Sequence, residues 1–140
     1  MRLNNRCYTY FVIKGDFEPS YITATLNLSP SMQRRIGDLR KDGHKFEFAM
    51  WEYGRCNNYD CETENQMMRT IEDLVPKIQE LKEIKHKFDV HYTLEVVPSI
   101  YVGNSTPSLT PNRAVIEFCY LTQTDIDIDL YLLGSNDEDE

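Results

Sequence analysis

Basic residues are scarce in this chain. Fifteen Lys and Arg stand against 23 Asp and Glu, a formal charge of -8 over 140 residues. That balance argues against nucleic acid as a partner, because binding phosphates needs a basic surface. Long apolar runs are missing as well. Nothing approaches the roughly 20 residues of a membrane helix, so no membrane partner is expected. The opening Met1-Arg2-Leu3-Asn4-Asn5-Arg6 has no apolar segment behind its basic start and does not read as a secretory leader. The expectation is a cytoplasmic protein whose cysteines, Cys7, Cys56, Cys61 and Cys119, are reduced thiols. The few glycines are dispersed and form no strand-to-helix loop that would cradle a phosphate. His44, His86 and His91 adjoin no recognisable nucleophile elbow, so no catalytic residue and no cofactor is assigned.

Aromatic residues, by contrast, are plentiful. Nine Tyr and six Phe accompany a hydrophobic share of 41%. Aromatics favour strands and fill a core with few residues. The length suits a single domain, read as residues 1–134, with an acidic disordered tail over 135–140.

Cys7 to Lys14 reads as a strand, and Pro19 as the first turn of a helix with Ile22 and Leu26 on one face. Residues 31–43 read as a polar, basic loop. A second strand is predicted over Phe46 to Tyr53, followed by a loop over 54–62. Thr63 and Gln66 match a capping box ahead of a long helix kinked at Pro76. Val90 to Val96 alternates as a half-buried strand, and residues 98–110 read as a loop. Thr110-Pro111 then opens a helix whose apolar face would be Val115, Ile116 and Cys119. Asp125 to Leu133 alternates most clearly of all. The plan is α+β: two βαβ-like units joined by a long kinked helix. The sheet would be mixed, of four or more strands, with helices mainly on one face.

Three segments carry a family resemblance: Gly15-Asp16-Phe17-Glu18-Pro19 through Leu28-Ser29-Pro30; Met50-Trp51-Glu52-Tyr53 with Leu74-Val75-Pro76-Lys77; and Pro107-Ser108-Leu109-Thr110-Pro111 with Asp125-Ile126-Asp127-Ile128-Asp129-Leu130-Tyr131. In this order and spacing the chain resembles the bacterial family known as domain of unknown function 4279. The resemblance implies a fold and no reaction. Family members tend to carry a Trp-Arg-Lys-Gly-like element after the first helix. Here the loop reads Met32-Gln33-Arg34-Arg35-Ile36-Gly37-Asp38, without tryptophan.

Two candidate sites emerge. Asp125, Asp127, Asp129 and Tyr131 would share one strand face as a surface for a cationic protein, such as a toxin neutralised by an immunity protein. Side chains at i and i+2 on a strand stand about 7 Å apart, too far for one calcium ion to gather all three aspartates. The alternative is a small-ligand or enzyme pocket between sheet and helices, lined by Arg34, Arg35, Trp51 and Tyr53. Cys56 and Cys61 span four residues but lack the second ligand pair that a structural zinc site needs. No metal is assigned.

Overall fold

The computed structural model describes residues 3–58 and 62–135. Cys61 and most of the expected acidic tail fall outside them. The elements are β1 (Arg6–Gly15), α1 (Pro19–Leu26), β2 (Met32–Arg34), β3 (Ala49–Asn58), α2 (Thr63–Ile71), a 3-10 turn (Val75–Lys77), α3 (Ile78–Lys87), β4 (Val90–Val102), α4 (Arg113–Thr122), β5 (Thr124–Ile128) and β6 (Tyr131–Ser135). The fold is α+β around one mixed sheet, ordered β2-β3-β1-β4-β5, with β6 also paired to β4. β1, β2, β3 and β4 pair antiparallel, while β5 and β6 run parallel to β4.

Alternation on the strands decides which side chains meet the helices. Thr9, Phe11 and Ile13 of β1 pair with Val96, Leu94 and Tyr92 of β4, and all six are buried. Every helix touches this face. Trp51 Nε1 donates to Thr23 Oγ1 of α1 at 3.0 Å. Gln66 of α2 bonds Thr9 and the Cys7 carbonyl at 3.0 and 2.9 Å. Tyr92 Oη donates to the Leu81 carbonyl of α3 at 2.8 Å. Phe118 of α4 packs edge-on to Phe11, with centroids 6.1 Å apart.

Several elements depart from the sequence reading. The first unit is not a parallel crossover, because β1 and β3 pair antiparallel; among the described residues only β4-α4-β5 is a true βαβ unit. In place of one long kinked helix there are two, since Pro76 lies in a 3-10 turn and cannot donate to a continuous helical ladder. Thr63 and Gln66 cap nothing. Thr63 Oγ1 donates to the Ser108 carbonyl at 2.6 Å, and Gln66 is engaged with β1. The last helix begins at Arg113, because Asn112 Oδ1 accepts from the Val115 amide at 2.9 Å and forms its N-cap. Its buried face is Val115, Phe118 and Cys119, while Ile116 is 51% exposed. The loop expected over 31–43 contains β2. β4 runs past Pro98 to Val102, where a loop is expected.

β5 and β6 behave as one interrupted strand. Val96 pairs with Ile128 and Ser99 with Tyr131, so both chains advance equally across the gap. The Asp129 amide still donates to the Val96 carbonyl at 2.9 Å. The next rung would need an N–H from residue 98, and Pro98 has none.

Where a loop is expected over 54–62, β3 continues to Asn58 through a bulge. Thr9 pairs with Cys56 and Phe11 with Tyr53, so Tyr10 alone opposes Gly54 and Arg55. Gly54 has φ +73°, and a Cβ there would lie 2.6 Å from the Thr70 carbonyl oxygen of α2. Only glycine meets both conditions. We predict that Gly54→Ala lowers stability by about 2–4 kcal/mol, from left-handed strain plus displacement of α2. Urea unfolding measures it; a loss under about 0.5 kcal/mol would show that the contact is not tight.

Candidate functional site

The bulge changes which way β3 points its side chains. Ala49, Trp51 and Tyr53 face the core before it, and Cys56 stands beside core-facing Thr9 after it. Arg55 therefore joins Glu52 on the opposite face, above β1. There Tyr8 and Tyr10 stack with centroids 6.1 Å apart and planes 9° from parallel. The Arg55 guanidinium lies 5.0 Å from the Tyr8 ring centroid and 4.5 Å from that of Tyr10. Glu52 holds it in place through two bonds, from Nη2 at 2.7 Å and Nε at 3.1 Å.

Glu52 is almost fully buried, with 3% of its side chain exposed. Burial pushes its pKa up. The bonds from Arg55 and Ser31, with the nearby arginine charges, outweigh that and hold it below the ordinary carboxylate range. Arg55 is raised in turn, chiefly by its bond to Glu52. The pair fixes a planar cation against two rings, a geometry suited to cation–π contact.

The same face continues across β4 and β5. Tyr10 pairs with Glu95, and Glu95 with Asp127. Arg55, Tyr10, Glu95 and Asp127 thus form a row across four strands, roughly 14 Å long at the usual strand spacing. Glu95 is pushed up to about 7, first by burial, then by its hydrogen bond to Asp127 and that residue's charge; Lys14 opposes the shift. Beside the row, His91 Nε2 lies 3.0 Å from Asp125 Oδ2, with both side chains mostly exposed. Tyr131 Oη donates to Asp129 Oδ2 at 3.0 Å.

The first candidate set is thus placed together: Asp125, Asp127, Asp129 and Tyr131 lie on the exposed strip beside Glu95. Asp125 engages His91, Asp127 engages Glu95 and Asp129 engages Tyr131, and the Lys85 charge also lies near Asp125. The second set is dispersed. Trp51 is fully buried and stacked on Tyr53 at 5.7 Å, on the helix side. Tyr53 Oη donates to Asp73 Oδ2 at 2.7 Å. Arg34 pairs in register with Met50, one residue out of phase with Trp51, and its guanidinium lies 4.5 Å from the Phe46 ring centroid. Arg35 forms an exposed ion pair with Glu18 at 2.7 Å.

Tyr8, Tyr10, Glu52, Arg55 and Glu95 are absent from both sequence-derived sets. The alternation of Tyr8 and Tyr10 against Cys7, Thr9 and Phe11 was the available signal for two of them. Arg55 was hidden behind Gly54, which reads as the start of a loop.

An open cleft of about 820 Å³ lies between α3, α4 and the start of β5, bordered by Lys82, Lys85, His86, Tyr120 and Asp125. Its chemistry is poor. Lys85 Nζ donates to the Gln123 carbonyl at 2.6 Å and lies 4.6 Å from the Tyr92 ring centroid. Burial, with a smaller contribution from Asp125, raises the Cys119 thiol to about 11, so it is no thiolate nucleophile. Among the described residues, no cluster of three or more His, Cys, Asp or Glu is arranged to hold a metal ion. No helix among them is long and apolar enough to cross a membrane.

The family described as domain of unknown function (DUF4279) matches residues 5–133, and the chain belongs to it. No curated protein and no solved structure matches the chain.

The Glu95–Asp127 pair generates a pH prediction. A carboxyl group raised in the folded state stabilises the fold below its unfolded value, near 4.5, and that contribution is lost as pH rises through about 7. Glu95→Gln removes the slope. The variant should gain about 1–2 kcal/mol over the parent at pH 8, a range already discounted for partial exposure, and nothing at pH 4. Urea midpoints at both values decide it; parallel pH profiles would show that Glu95 is not raised in the folded state.

Proposed function

We propose that this member of the DUF4279 family is a cytoplasmic bacterial protein-binding domain without catalytic activity, and that its partner is a cationic protein. The observation that carries this reading is the composite surface opposite the helices. Acidic side chains line one margin of it, and rigid aromatics with a fixed arginine occupy its middle.

That composition resembles a binding surface more than a solvated sheet face. Tyr and Arg supply most interface hot spots, because they contribute large contact area and several hydrogen bonds at low entropic cost. Arg55 and the two stacked tyrosines are already held in place, which reduces the ordering cost of association. The exposed aspartates act at longer range, where they steer a basic partner and reject an acidic one. The chain's net charge of -8 works in the same direction.

The specific role that fits this chemistry is that of an immunity protein covering a basic toxin or nuclease. A pocket at Trp51 finds no support, because the indole has no exposed surface to offer a ligand.

The test is capture of a basic protein from the source organism, on the parent chain and on the triple variant Asp125→Asn, Asp127→Asn, Asp129→Asn. The triple variant should bind roughly 10- to 100-fold more weakly, mostly through slower association, and the difference should shrink in high salt. Co-expression should also relieve toxicity of the captured protein. Equal affinity of both chains at low salt would remove the acidic margin from the interface, and failure to protect would remove the immunity role.

A further inference from the structure

The strand at the acidic margin is the edge of the sheet. β5 pairs with β4 on one side, and among the described residues no strand pairs with its outer side. Its two faces are chemically opposite. Asp125, Asp127, Asp129 and Tyr131 lie on the side of Glu95. Ile126, Ile128, Leu130 and Leu132 alternate with them. Ile126 is partly buried against the core, but the later residues become progressively more exposed: 37% at Ile128, 46% at Leu130 and 73% at Leu132. Val102, on the neighbouring strand, is 55% exposed.

A long edge strand with exposed aliphatic side chains is a ready template for another strand, and proteins ordinarily blunt such edges. Here the acids blunt it selectively. A second copy pairing along this edge would set aspartates against aspartates, which is unfavourable. A strand that alternates basic and aliphatic residues meets complementary chemistry on both faces at once.

We propose that β5 and β6 receive a partner segment by strand addition, and that the segment alternates Lys or Arg with Val, Ile or Leu. The inference rests on the protein-binding reading above and specifies its mode. Main-chain bonds would supply affinity, and the two rows of side chains the selectivity. The backbone bonds can be assigned. The Asp129 amide points toward β4, where it donates to Val96. Amides alternate in direction along a strand, so those of Ile126, Ile128, Leu130 and Leu132 point outward and are the donors an added strand would use.

The probe is a capped nine-residue peptide alternating lysine and valine, titrated into the full chain with amide exchange read by NMR. A blocked-order peptide of the same composition is the control. Two further peptides carry N-methyl groups on all the lysines or on all the valines. The proposal expects exchange at Ile126, Ile128, Leu130 and Leu132 to slow at least tenfold. It also expects at least tenfold weaker binding of the blocked peptide and of one N-methylated peptide, but not the other. Binding without protection of those amides, or equal binding of both N-methylated peptides, overturns strand addition and leaves the acidic-margin reading standing. No binding of any basic peptide overturns both.

Discussion

One residue without a side chain sets the character of the exposed sheet face. At Gly54 the backbone of β3 takes a positive φ and passes so close to α2 that Thr70 Oγ1 donates to the Gly54 carbonyl at 2.7 Å. The bulge lets Tyr10 face two residues and reverses the alternation of the strand. Without the reversal, Arg55 would point among the helices, where a guanidinium lacking a carboxylate costs several kcal/mol. With it, Arg55 turns outward onto two tyrosines. The helix side and the exposed side are therefore coupled through a single close approach.

The two faces solve opposite problems with similar means. On the helix side, a set of buried polar groups is tied together and to the backbone. Thr9, Gln66 and Thr70 bond across β1, β3 and α2, and Thr122 and Thr124 share a hydrogen bond of 2.6 Å where α4 turns into β5. Satisfied in this way, they fix the register of helix on strand at little cost. On the other face, Glu52 is the buried charge. Its partner Arg55 is itself clamped by the rings, so that charge becomes a fixed part of the surface. A carboxylate buried without Arg55 would be strongly destabilising.

Much of this architecture was legible in the residues. The strand at Cys7 to Lys14, the alternation of Asp125 to Leu133 and the first-turn Pro19 rest on local rules, and the structure follows them; at Pro76 the expected kink is a full break between two helices. The aspartate row and Tyr131 could be placed on one face from the period of a strand alone. What could not be read depends on contacts distant in the chain. Gly54 reads locally as a terminator, and only the approach of Thr70 makes it a bulge. Pro98 reads as a strand end, yet its missing N–H falls at the one rung between β5 and β6 that is not made. Thr63 and Gln66 have the spacing of a cap, and tertiary hydrogen bonds claim them. Trp51 looked like a ligand wall beside a basic loop. The pairing of Arg34 with Met50 places that arginine out of phase with it.

The fixed centre of the exposed face depends on Arg55 resting on Tyr8 and Tyr10. NMR of the parent chain measures this without any partner. Ring currents from two stacked tyrosines should move the Arg55 side-chain methylene protons well upfield, and cross-relaxation should connect them to both rings. The Arg55 Nε proton, held by Glu52, should remain visible and exchange slowly. Methylene shifts at their free values, with no contact to either ring, would mean that the bulge directs Arg55 elsewhere and that the surface lacks its fixed centre.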